Sequence, residues 1–145
     1  MIREFGPELM DQPGVDPEDY RVCLDGLRRI NVLSRVAERF WRTTVRALRL
    51  TPGATLRVVD TACGGADVSL RFATLARQAG VRVNVTLQDR SSHALAVAVE
   101  RFSGTAIPFS TLQTDLSIAD LPEEFDVVLN SLFLHHLPEK SVVET

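Results

Sequence analysis

Two hydrophobic rhythms divide this chain near Thr55. Before it, apolar residues recur in steps of three and four at Tyr20, Leu24, Leu27, Ile30, Leu33, Ala37, Phe40, Trp41, Val45 and Leu48, the signature of one face of a helix or a helix pair. Asp16-Pro17-Glu18-Asp19 supplies a cap, a proline at the first helical position and acids in the first turn, and Pro52-Gly53 stops the pattern. The opposite face carries Arg21, Arg28, Arg35, Arg39, Arg42 and Arg46 and reads as solvated. The opening stretch, punctuated by Gly6, Pro7, Pro13 and Gly14, reads as an arm on the surface.

After Thr55, short apolar runs alternate with helical stripes. The runs predict strands at about Arg57 to Asp60, Val81 to Gln88, Phe109 to Gln113 and Asp126 to Asn130. Between the first two, Val68, Phe72, Leu75, Ala76 and Ala79 mark a helix that stops at Gly80. Between the next two, Leu95, Ala98, Val99 and Phe102 mark another, capped by Ser91 or Ser92 and ending at Gly104. Pro138 opens a last helix toward Thr145. Alternating strands and helices imply an α/β fold with a parallel sheet and right-handed crossovers.

Composition narrows the class. A chain of 145 residues, 45% hydrophobic and 24% charged, builds one core and one domain. Its net charge of -3 argues against a dedicated nucleic-acid surface. Neither a leader-like apolar segment nor a membrane-length run is present, so the reading is a cytoplasmic protein with no membrane partner. Cys23 and Cys63 lie far apart, which disfavours both a disulfide and a metal site.

The stretch that carries chemistry is Leu56-Arg-Val-Val-Asp-Thr-Ala-Cys-Gly-Gly-Ala-Asp67. A strand that ends on an acid and breaks into tiny residues before a helix brings bare backbone against a nucleoside. Three later features sit where such a site needs them: Asp89 closing the second strand, Asp115-Leu116 after the third, and Phe125-Asp-Val-Val-Leu-Asn-Ser-Leu-Phe-Leu-His-His-Leu-Pro138. Together they resemble the Rossmann-like, class I S-adenosylmethionine-dependent methyltransferases, particularly the small-molecule branch that includes quinone C-methyltransferases. The resemblance divides the chain into an arm and helical cap over 1–54 and a cofactor-binding domain over 55–145.

In that family the first turn reads Asp-x-Gly-x-Gly-x-Gly, so Asp60, Ala62, Gly64 and Ala66 fall on the acid and the three glycines. Alanine does not take positive φ as freely as glycine, so the turn must either avoid it there or carry strain. The resemblance implies S-adenosylmethionine as cofactor. It would set Asp89 on the ribose hydroxyls and Ala62, Gly64, Gly65 and Ala66 along the ribose and methionine. Asp115 and Leu116 would meet the adenine, with Asp60, Asn130 and Ser131 at the methionine end. Arg90 would stack on adenine or point to solvent. Without a ligand, Asp89 reads as a helix-leading acid and the small residues as a tight turn. His135 and His136 are weak candidates for a base or for lining the acceptor pocket, and as neighbours without further ligands they do not make a metal site.

The implied reaction is in-line methyl transfer to a small-molecule acceptor. Domains of this family continue through a fifth strand and an antiparallel hairpin, in the order 3-2-1-4-5-7-6. The chain therefore reads as a fragment or truncated reading frame, or as one whose strand-four edge is covered by a homo-oligomer or another partner. The competing readings are a degenerate Rossmann-like interaction domain and a nicotinamide-dependent oxidoreductase; the glycine fingerprint of the latter is not matched at Ala62 and Asp67.

Overall fold

Among the described residues, β-branched and apolar residues alternating along short segments form four strands: β1 (Thr55–Thr61), β2 (Arg82–Asp89), β3 (Phe109–Gln113) and β4 (Val127–Asn130). The computed structural model describes residues 16–116, 121 and 124–131. All pairs are parallel and the order is β3-β2-β1-β4. These strands agree with the sequence reading, with ends displaced by one or two residues. The arm and the helix opening at Pro138 lie outside the described residues, as do His135 and His136.

Helices α3 (Asp67–Gln78) and α4 (Ser92–Ser103) are the crossovers from β1 to β2 and from β2 to β3. Successive right-handed crossovers in one direction put both on one face of the sheet. That face is a single core of Leu56, Val58, Val83, Val85, Leu87 and Leu129 under Phe72 of α3 and Phe102 of α4. Each fully buried phenylalanine contributes about 1.5–3 kcal/mol. Ser91 caps α4 by accepting from the Ala94 N–H at 3.2 Å. At the other border, Asp126 accepts from the Arg57 N–H (2.8 Å) and guanidinium (3.2 Å), and Asp126 N–H donates back to Arg57 C=O, which fixes where β4 begins. Among the described residues β4 pairs with β1 alone, and Val128 is 57% exposed.

The N-terminal stripe resolves into a helix pair, α1 (Pro17–Ser34) and α2 (Val36–Leu48), broken at Arg35 with φ 52°. Asp16 caps α1 as its sequence predicts, accepting from the Glu18 N–H at 2.8 Å. α2 packs on α3, with Trp41 edge-on to Phe72. One part of the stripe is corrected. Tyr20 and Leu24 are buried, whereas Ile30 and Leu48 face solvent and Leu33 is 88% exposed. Steps of three walk around a 3.6-residue helix, so Ile30 and Leu33 drift off the buried face, where Asn31 stands with Leu27, both half-buried.

Candidate functional site

The register aligns the carboxyl ends of the strands: Thr61 sits beside Gln88 on one side and Asn130 on the other, and Asp89 lies beside Gln113. β1 lies between strands reached in opposite directions, which makes its border with β4 a topological switch point, where open α/β sheets bind ligands. The turn from Ala62 to Ala66 leaves β1 at this point. Ala62, Gly64 and Ala66 have φ of 50°, 53° and 55°. The alternative posed by the sequence is thus settled in favour of strain: both alanines take the left-handed conformation, at about 1–2 kcal/mol apiece.

Side chains from β2 hold the turn in place. Gln88 Oε1 accepts from Ala62 N–H (2.9 Å), and its Nε2 donates to Thr114 C=O (2.6 Å), so one buried amide ties the segments after β1 and β3 together. Asp89 Oδ2 accepts from Gly64 N–H and Oδ1 from Ser91 N–H, both at 2.9 Å. Burial pushes the Asp89 carboxyl above its ordinary value, and the N–H groups of Ser91 and Gly64 oppose that rise. The Arg90 N–H opposes the rise as well, so three backbone donors converge on a carboxylate with about four acceptor sites, and acceptor capacity remains for a ligand hydroxyl.

Asp60, at the end of β1, is 2% exposed. Burial raises its pKa to about 7, and repulsion from Asp67 and Asp89 adds to the rise while hydrogen bonding with Ser69 in the first turn of α3 opposes it. Cys63 is also held protonated, first by burial and then by Asp60 and Asp89, so its thiol is no nucleophile. Thr61 Oγ1 donates to Leu129 C=O and accepts from Asn130 Nδ2, each at 3.0 Å.

On its outer side the turn meets α1 and α4. A Cβ built on Gly64 would stand 3.3 Å from Leu24 Cδ2, and one on Gly65 would stand 2.2 Å from Arg101 Nη1. Arg101 donates to Gly65 C=O (2.7 Å) and Asp25 Oδ1 (2.8 Å) and lies 3.9 Å from Asp67, whose other oxygen accepts from Asn31 Nδ2 (3.1 Å).

The structure therefore brings Asp60, Ala62, Gly64, Gly65, Ala66 and Asp89 together, with Asn130 one strand away. Asp115, Leu116 and Ser131 are half-buried and Arg90 is exposed, its C=O accepting from Gln113. Sequence reasoning missed Gln88, Arg101, Asn31 and Asp67. Gln88 carries a signal, a polar residue at the end of a strand whose inward positions are Val83, Val85 and Leu87. Among the described residues no group of three or more His, Cys, Asp or Glu could hold a metal ion, and no helix is long and apolar enough to cross a membrane. A groove of about 550 Å³ at the opposite end of the sheet, lined by Thr55, Arg77, Arg82, Asn84 and Pro108 among others, shares no residue with the turn.

A family model described as a methyltransferase domain matches residues 58–145. Among solved structures, the plantazolicin methyltransferase BpumL in complex with SAH superposes with a TM-score of 0.64 at 18% identity, covering 91% of this chain and 48% of that one. An S-adenosylmethionine-dependent methyltransferase from Clostridium acetobutylicum gives 0.60 at 15% identity, covering 84% and 49%. At these identities the likeness is one of fold, and the chain spans about half the length of either structure. No curated protein matches the chain.

Proposed function

The chain belongs to the methyltransferase-domain family, and from that premise we propose that it binds S-adenosylmethionine at the carboxyl ends of β1 and β2 for methyl transfer to a small-molecule acceptor in the cytoplasm. The observation that carries the reading is the Asp89 carboxylate, bonded to Gly64 N–H at the end of β2 beside three left-handed positions of small residues. That arrangement fits a nucleoside: remaining acceptor capacity for a ribose hydroxyl next to positions that carry nothing larger than a methyl.

In this reading Asp89 orients the ribose, and Ala62, Gly64, Gly65 and Ala66 give close approach. Asp60 receives the cationic methionine end with Asn130 and Ser131 nearby, and Asp115, Leu116 and Arg90 attend the adenine. The bound cofactor supplies a methyl group on a sulfonium, already an activated leaving group. What the chain adds is alignment for in-line displacement, an effect that reaches about 7–11 kcal/mol in well-oriented systems. His135 and His136 are the candidates for accepting a proton from an acceptor that must lose one.

Calorimetry with S-adenosylmethionine, with NADH as control, tests this. Selective binding is expected, and Asp89→Asn should weaken it by about 10- to 100-fold, the worth of a charge-assisted hydrogen bond. A folded Asp89→Asn protein with undiminished affinity would remove Asp89 from the site.

A further inference from the structure

We infer that Arg101 is a positioning residue for the turn, holding Ala66 in the left-handed conformation that a glycine would adopt unaided; the ligand consequences rest on the reading above. The peptide unit joining Gly65 to Ala66 is gripped at both ends. Its N–H donates to Cys63 C=O at 2.8 Å, and its C=O accepts from Arg101 Nη1 at 2.7 Å. The next peptide plane is held by Leu70 N–H donating to Ala66 C=O at 3.0 Å, so fixing the Gly65–Ala66 plane sets the rotation between the two, which is the φ of 55° at Ala66.

The guanidinium is placed for this task. Its side chain is 17% exposed and its other amino group binds Asp25 of α1, while Asp67, the first residue of α3, lies within reach. Asp25 therefore orients Arg101, and Asn31 orients Asp67. The bare Cα of Gly65 leaves the space the guanidinium fills, since an added Cβ would fall 2.2 Å from Nη1. On the N–H side the turn is held by Gln88 and Asp89, and on the C=O side by Arg101.

Amide exchange by NMR on the ligand-free chain, alongside calorimetry with S-adenosylmethionine, tests the assignment. In Arg101→Met the Ala66 amide should exchange about tenfold faster and affinity should fall about tenfold, as for loss of one hydrogen bond from a charged group. Gly65→Ala, which displaces the guanidinium without deleting it, should do the same. Asp25→Asn, which loosens α1 but leaves the Gly65 bond, should change either quantity far less. Adding Ala66→Gly to Arg101→Met should restore affinity to that of Ala66→Gly alone, because glycine needs no external hold. A mere brace between α1 and α4 would show no such rescue. Unchanged Ala66 exchange in Arg101→Met, or a folded double variant without rescue, overturns the assignment. Should the unaltered chain fail to bind S-adenosylmethionine while Ala66 exchange still depends on Arg101, the cofactor reading fails and the positioning role stands.

Discussion

Among the described residues four non-glycine residues adopt positive φ, and they fall into two contrasting pairs. Arg35 and Arg49 are exposed and each ends a helix, with its N–H bonded to carbonyls of the preceding turn, Asn31 and Val32 for one and Val45 for the other. Ala62 and Ala66 stand in the turn after β1, where the restraints come from residues far along the chain: Gln88, 26 positions on from Ala62, and Arg101, 36 on from Gly65. The same intrinsic penalty is thus met locally at the helix ends and by tertiary contacts at the turn. Strain that depends on remote partners can be released by changing those partners, which a helix stop held by its own last turn does not allow.

The contrast breaks most severely at Asp89. Asp89→Ala would leave the half-buried N–H groups of Gly64 and Ser91 without their acceptor, at about 1 kcal/mol each, and urea unfolding should report a loss of that size. An unchanged midpoint would mean that β2 does not hold the turn. Asp60 comes next. Its raised pKa of about 7 means that the native state retains a proton the unfolded chain releases near 4. Stability is then fully present at low pH and declines as pH rises through about 7, at up to about 1.4 kcal/mol per unit in between. Asp60→Asn should flatten that slope in denaturation curves. Binding of a cationic ligand should run the other way, tightening as pH approaches 7, with proton release detectable by calorimetry in two buffers.

Smaller effects separate the pairs. Arg35→Gly and Arg49→Gly should each raise stability by about 0.5–1 kcal/mol, because relief of the left-handed penalty slightly exceeds the entropy cost of glycine, and should leave ligand affinity alone. Ala62→Gly should gain a similar amount. Ala66→Gly should be close to neutral in thermal melts, since it also removes a buried methyl worth about 0.8 kcal/mol.

The sheet was readable from the sequence because its strands are short and bounded by glycine, proline or acid, and because Asp60 and Asp89 mark the carboxyl ends of β1 and β2. Arg101 was not readable. It lies on a helix whose stripe of Leu95, Ala98 and Phe102 explains the fold without it, and its partners Asp25 and Gly65 are 76 and 36 residues away. Ile30 and Leu33 misled for the converse reason: their spacing mimics a buried face, while the position that faces the site is the polar Asn31, which packs on Asp67. The α1 face above the turn is chosen for hydrogen bonding, and a hydrophobic pattern does not register it.

The register of β1 also has a temporal side. Its bonds to β2 join residues about 27 apart, while the Arg57–Asp126 pair that seats β4 spans 69. Closing the longer loop costs only about 0.8 kcal/mol more, yet it demands a later stretch of chain. Everything that shapes the Ala62–Gly64 segment from the β2 side is made by the time Asp89 has left the ribosome, whereas Asn130 must wait for some forty residues of further synthesis, about 2–8 seconds at ordinary rates. The turn can therefore be set from the β2 side during translation, before the strand that flanks β1 on its other side exists.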